Sequence, residues 1–178
     1  MKIVIAGAGQ VGGHLAKMLS NEYHDLTIID NDESRLTRVA ESSDVLTIFG
    51  SPTSIKTLSN AGVAKSDLFI AVSPAQEQDV NIISALLAKK MGSAKVTARI
   101  NNDEYLESDN KLLFKDMGID LLFYPEKIAS HEIVDLLKQT GTSEFMDFSG
   151  GKLQLIVFRL DDGSPLIDRT MADYVSTD

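Results

Sequence analysis

A chain of 178 residues, 43% apolar and 24% charged, can bury one good core and has the balance of an ordinary soluble globular protein. Its net charge of −9 opposes attraction to nucleic acid or an anionic membrane surface, since both select clustered lysine and arginine. The lack of cysteine excludes a disulfide scaffold, a thiolate metal site and a cysteine nucleophile; no apolar stretch approaches the roughly 20 residues that span a bilayer, so a cytoplasmic chain is expected.

Lys2 to Ala6 reads as a short buried strand that runs straight into Gly7-Ala8-Gly9-Gln10-Val11-Gly12. In this G-x-G-x-x-G pattern Gly7 permits the tight turn out of the strand, Gly9 lets the backbone approach a pyrophosphate, and Gly12 lets the following helix pack closely on the sheet. Val11 to Leu19 carries an apolar helical stripe, so phosphates would meet the free N–H groups of a helix N-terminus, where the helix dipole also favours an anion. A glycine-rich turn needed only for packing is the plainer alternative.

Leu26 to Asp30 forms the second predicted strand, ending in a carboxylate that can accept both hydrogen bonds of a ribose 2′,3′-diol and would repel a 2′-phosphate. NAD or an adenosine nucleotide is thus preferred over NADP. Asp30, Asn31 or Asp32 could equally cap the helix predicted from Glu33, and both roles can coexist in one loop. Replacing Asp30 by alanine is expected to weaken nucleotide binding and leave the fold intact, because the side chain is expected at the sheet rim.

Strands are predicted over Val45 to Phe49, Asp67 to Val72, Lys95 to Ile100 and Asp120 to Phe123, and helices over Ser54 to Ala61, Gln76 to Met91 and about Glu104 to Met117. A last helix carries Pro125 in its first turn, where a missing N–H costs nothing. Six strands alternating with helices require right-handed crossovers and a mostly parallel sheet, a doubly wound Rossmann-type α/β fold. Ligands of such sheets bind beyond the carboxyl ends of the strands, at the switch point of strand order. Gly7, Asp30, Ser51, Ser73 and Arg99 all fall at or just past such ends.

Ser73-Pro74 follows the fourth strand, where it either borders the ligand cleft or is a plain turn. Arg99 ends a buried strand and needs a partner there, either a phosphate or a structural carboxylate. His14, His24 and His131 show no metal-ligand spacing, and no acid or base is placed with a nucleophile, so neither a catalytic nor a metal site is predicted. Val80, Ile83, Leu87 and Met91, with Ile82 and Leu86, give the long helix two apolar stripes; Ile128, Ile133, Val134, Leu136 and Leu137 do the same for the last helix. A buried core helix or a self-association surface would account for either.

Residues 141–151 break the alternation and read as a linker after a domain of residues 1–140. Beyond it, Lys152 to Leu160 alternates as a strand and Asp161-Asp162-Gly163 signals a turn. About 25 residues cannot build a core of their own, so residues 152–178 either pack on the first domain or begin a second one.

Together, Gly7 to Gly12, Ile28-Ile29-Asp30 with Arg35, Ala61-Gly62-Val63, Ile70 to Ser73, Asn81 ahead of Leu86-Leu87-Ala88-Lys89, Ala98-Arg99, Glu104-Tyr105, Gly118-Ile119-Asp120 and Pro125-Glu126 resemble the RCK or KTN family. The likeness is to its TrkA branch, the cytosolic nucleotide-binding subunits of bacterial Trk potassium-uptake systems, and covers roughly residues 1–140. Gly151-Lys152-Leu153 and Ser164 to Ile167 are similar to the beginning of the family's small C-terminal domain, which would make this chain a fragment. The resemblance implies NAD(H), or alternatively ATP or ADP, held by Gly7 to Val11, Asp30, Ser73-Pro74 and Arg99. It also implies a dimer that joins a ring beneath an integral-membrane potassium channel or transporter subunit, gating potassium flux rather than catalysing a reaction. Gly50-Ser51 departs from the family's Gly-Asp after the third strand, and the loop before Asn81 is longer than is common. The rival reading from the residues is a small NAD-dependent oxidoreductase or its cofactor domain.

Overall fold

The computed structural model describes residues 1–138, 144–148 and 153–157, with residues 160, 163, 164, 167 and 170. The chain divides into two units, Met1–Glu126 and Lys127–Asp178. In the first, β1 (Lys2–Ala6), β2 (Asp25–Asp30), β3 (Leu46–Phe49), β4 (Leu68–Ala71), β5 (Lys95–Arg99) and β6 (Leu121–Phe123) form one parallel sheet in the order β3-β2-β1-β4-β5-β6. Strand order reverses between β1 and β4, the expected switch point of a doubly wound sheet.

Helices on both faces explain why the strands read as near-continuous apolar runs. Val4, Ala6, Ile29, Phe69, Ala71 and Val96 enter one buried cluster, and Ile3, Ile5, Ile28, Ile70 and Val72 enter the other. The strand alternation therefore sends successive residues of β1 into opposite cores. Helices α1 (Gln10–Ser20), α2 (Glu33–Ser42), α3 (Ile55–Asn60), α4 (Gln78–Met91) and α5 (Ser108–Asp116) complete the first unit. Asp32 accepts hydrogen bonds from the Ser34 and Arg35 N–H groups and caps α2, while Ser54 caps α3 through the Thr57 N–H.

The helix expected from Glu104 to Met117 is two elements. Asn102 accepts the Glu104 N–H and opens a 3-10 turn over Asp103–Leu106, and Glu107 is extended (φ −64°, ψ 149°) before α5 starts. Tyr105 packs on Phe114 at 4.9 Å between ring centres with the rings tilted by 55°, so the turn packs back on α5. On α4 the fully buried face is Asn81, Ser84, Ala85 and Ala88, and the two apolar stripes lie beside it. Small side chains let the helix lie close on the sheet; Ile82, Leu86, Leu87 and Met91 pack at the flanks, and Ile83 is exposed.

Asp120 joins the β5–β6 edge to α4. Burial works against its ionisation, but the Val96 N–H at 2.8 Å and the Lys89 ammonium at 3.1 Å outweigh that and hold its pKa below the usual carboxylate value. A folded-state pKa below the unfolded one contributes stability that is complete above the unfolded value, about 3.9 for Asp, and is lost as pH falls through the folded value. Asp120→Asn should accordingly lower the melting temperature at neutral pH, and the gap to the wild type should close as the solution is acidified below about pH 4. A gap that persists unchanged in acid would assign the effect to packing.

The second unit contains nearly all of α6 (Pro125–Lys138), together with β7 (Glu144–Phe148) and β8 (Leu153–Val157), which pair antiparallel with Glu144 opposite Val157 and Phe148 opposite Leu153. β7 occupies the middle of the segment expected to be a linker, whose remaining residues, 141–143 and 149–151, lie outside the described residues. Ile128, Ile133, Val134 and Leu136 of α6 are exposed, and the Leu137 side chain lies outside the described residues. No helix among the described residues is long and apolar enough to cross a membrane.

Candidate nucleotide site

The site is built at the carboxyl ends of β1, β2 and β4. Gly7 leaves β1 with φ +111°, a conformation that L side chains rarely adopt, and a Cβ there would lie 2.6 Å from the Ser73 nitrogen. A Cβ on Gly12 would lie 1.8 Å from the Gly7 carbonyl oxygen, so α1 can start where it does only with glycine at this position. Gly9 differs from both: an added Cβ would meet nothing within 4 Å, which leaves its face open for the approach of a ligand. Gly9 is also the N-cap of α1 and supplies no side-chain acceptor to the helix's first turn. Ala8, Gln10 and Val11 thus lie on the loop and at the start of α1, beside the open face of Gly9.

Asp30 is buried, 4% exposed, where a rim carboxylate was expected. One carboxylate oxygen accepts the Ala8 N–H at 2.6 Å and the other accepts the Asp32 N–H at 2.8 Å. The carboxylate therefore fastens the glycine loop of β1 to the start of α2, a bond across 22 residues of sequence. Each oxygen keeps lone-pair capacity, because a carboxylate offers about four acceptor positions. Arg35 lies 3.8 Å from Asp30 and 3.3 Å from Asp32, so a cation borders the acid. The capping role falls to Asp32, whose pKa is held down by the Ser34 hydroxyl first, with burial opposing and the Arg35 and Ser34 N–H groups reinforcing.

An open cavity of about 150 Å³ brings Gly7, Asp30, Arg35, Ser51, Ser73 and Pro74 together, with Glu77 just before α4 and Val80 in its first turn. The Ser51 hydroxyl is 2.8 Å from that of Thr53 and accepts the Thr53 N–H at 3.3 Å, so hydroxyls occupy this rim. Arg99 does not line that cavity. It ends β5 next door, where it pairs with Glu126 in the first turn of α6, and its buried Nε has no hydrogen-bond partner. The guanidinium as a whole is partly exposed, with its Nη2 donating to Glu126 and its Nε–H left unmet. His14 is exposed on α1, and His24 lies 3.5 Å from Glu22.

Asn81 and Arg35 had no assigned role in the sequence. Arg35 is signalled by its place one turn into the helix after the acid. Asn81 is signalled by a polar, weakly helix-forming residue on the sheet-facing side of α4.

The sequence profile of the TrkA-N domain matches residues 3–125, which takes in all six strands apart from Lys2, and the site. The chain belongs to the TrkA-N family. It is 40% identical over 175 residues to a Trk system potassium uptake protein TrkA homolog of Archaeoglobus fulgidus, covering 97% of this chain and 38% of that one. It is 33% identical over 176 residues to the Trk system potassium uptake protein TrkA of Haemophilus influenzae, covering 98% and 38% respectively. The chain thus spans less than half the length of these two TrkA relatives. Among solved structures, the TrkA-N domain of the inner membrane protein ybaL from Escherichia coli superposes with a TM-score of 0.64 at 18% identity, over 76% of this chain and 96% of that one. The GsuK channel bound to NAD superposes with a TM-score of 0.54 at 19% identity, over 68% and 21%. At these identities the two structures show a shared fold.

Proposed function

We propose that this chain is the nucleotide-sensing part of a regulatory subunit of a potassium-uptake channel or transporter, with NAD(H), or alternatively ATP or ADP, as its ligand. The observation that carries this reading is the pairing of an open Gly9 face at a helix N-terminus with the Asp30 carboxylate that holds the same loop. Those residues fit a dinucleotide: Gly7 to Gly12 for the pyrophosphate, Asp30 for the ribose diol, Ser73-Pro74 for the opposite side and Arg99 for a further anionic group. The names of the TrkA relatives support the potassium-transport setting, and the NAD-bound GsuK channel supports the ligand class.

The mechanism is a ligand-dependent shift between two arrangements of paired domains, one binding the nucleotide better than the other. A difference of about 3 kcal/mol changes the ratio of the two states by about 150-fold. The partners are a second copy of the chain and an integral-membrane potassium channel or transporter subunit, with this part on the cytoplasmic side and residues 152–178 beginning a smaller second domain. Calorimetric titration with NAD, NADH, ATP and ADP, with the mass in solution followed in parallel, tests it. Saturable binding with an assembly that changes with ligand is the expected result. No binding by any of the four would leave the glycine loop as packing alone, and turnover at the nicotinamide band with a candidate substrate would support the oxidoreductase reading instead.

A further inference from the structure

The glycine loop and the buried acid are held by contacts already described, whereas the Ser73 backbone is hydrogen-bonded by a side chain that lies outside the cavity lining. That side chain comes from α4. Asn81 is fully buried, and its side chain makes three hydrogen bonds. Its Oδ1 accepts the Ser73 N–H at 2.8 Å, and its Nδ2 donates to the Ser73 carbonyl at 3.2 Å and to the Arg99 carbonyl at 3.1 Å. One acceptor and two donors match the carboxamide, and the opposite amide orientation would set N–H against N–H. Aspartate would keep the acceptor and lose both donors. Glutamine would bring an extra methylene into a site with no exposed surface.

The Ser73 peptide is also what Gly7 packs against. A Cβ on Gly7 would approach the Ser73 nitrogen to 2.6 Å and the Val72 carbonyl carbon to 2.8 Å. Gly12 in turn packs on the Gly7 carbonyl, so displacement of Ser73 is passed to the loop and to the N-terminus of α1. The third bond of Asn81 ties the same peptide to the end of β5, at the residue whose guanidinium retains an unmet donor.

We infer that Asn81 is the positioning residue of the nucleotide site: its amide fixes the Ser73 peptide against Gly7 and registers it to Arg99, and it acts on the ligand through them without touching it. This rests on the reading that this sheet edge binds a nucleotide. The geometry favours positioning over mere satisfaction of a buried polar group, because all three partners belong to the two residues at neighbouring strand ends where a ligand is expected.

The test is NAD affinity of the whole chain carrying Asn81→Ala or Asn81→Asp, measured where circular dichroism shows each to be folded. Val63→Ala, a fully buried truncation before the amino end of β4, serves as a control for stability. Loss of the positioning bonds should raise the Kd for NAD about tenfold in both variants, roughly the effect of one or two hydrogen bonds. Val63→Ala should lower the melting temperature with the Kd unchanged. Equal Kd values in wild type and Asn81 variants would overturn the inference. A second readout needs no variant: on NAD titration the Asn81 side-chain NH₂ resonances should shift in step with the Gly7 and Ser73 amides. If those amides shift and the Asn81 NH₂ group does not, the residue is structural. Absence of NAD binding by the wild type would remove the nucleotide reading and the role of Asn81 with it, whereas binding by the wild type with unaffected Asn81 variants removes the second alone.

Discussion

Gly9→Ala is expected to abolish measurable nucleotide binding in a protein that folds almost normally, while Gly12→Ala should damage the fold itself. The two glycines are three residues apart in one motif, yet their surroundings are opposite. A Cβ at position 9 points into open space, and the cost to the fold is that of alanine replacing glycine at a helix N-cap, under about 1 kcal/mol. The same methyl occupies the surface a pyrophosphate must touch, and a loss of about 100-fold in affinity corresponds to about 2.8 kcal/mol of lost contact, a modest requirement for a blocked approach. At position 12 the methyl would lie 1.8 Å from the Gly7 carbonyl oxygen and 2.9 Å from its carbon. A Cβ has no rotamer that would take it away from the Gly7 carbonyl, so α1 must shift off the sheet, at a cost of about 3 kcal/mol or more. Thermal melts paired with calorimetric titration separate the two effects. Unchanged affinity in Gly9→Ala would reduce the glycine loop to a packing turn, and a wild-type melting temperature in Gly12→Ala would show that the close approach of α1 to β1 is not required.

All six strands of the sheet were legible because each is a short apolar run followed by turn-forming residues; β1, β2 and β4 are buried over nearly their whole length, whereas the edge strands β3 and β6 leave Leu46, Phe49 and Leu121 exposed. The carboxyl-end placement of Gly7, Asp30, Ser51 and Ser73 followed from topology, and the cavity does gather them. What escaped the sequence depends on distant contacts. The burial of Asp30 is set by the Ala8 N–H pointing at it, and no spacing rule reports where an amide points. The sheet-facing side of α4 did not stand out in the sequence because periodicity gives weight to Ile and Leu, whereas the fully buried residues are Asn81, Ser84, Ala85 and Ala88. The break at Glu107 was hidden because a 3-10 turn and an α-helix share helical spacing over one turn. β7 was obscured by the glycines on either side of it, Gly141 and Gly150-Gly151, which read together as a hinge.

Asp30→Ala should weaken nucleotide binding and also cost the fold, contrary to the expectation of an intact scaffold. The carboxylate is the acceptor for the Ala8 and Asp32 N–H groups, and it is 4% exposed. Removing it orphans both donors, and a buried donor left unsatisfied costs about 1–3 kcal/mol; Asp32, at the more open start of α2, falls toward the lower end. The summed loss is then about 2–4 kcal/mol, a large part of the stability of an ordinary domain. Asp30→Asn relieves little of this, since its single oxygen can face one N–H while its NH₂ group must face the other. Binding should fall at least about tenfold in either variant, because the diol loses an acceptor and the loop loses the bond that holds Ala8. The Arg35 guanidinium, 3.8 Å from the missing carboxylate, then faces the vacated space, so the preference for NAD over NADP should shrink. Chemical denaturation gives the stability term, and titration with both dinucleotides at a temperature where the variant is folded gives the other two. A variant as stable as the wild type would mean that water or a neighbouring side chain satisfies the Ala8 N–H. An unchanged ratio of the two affinities would mean that Arg35 stays with Asp32 and takes no part in reading the ribose.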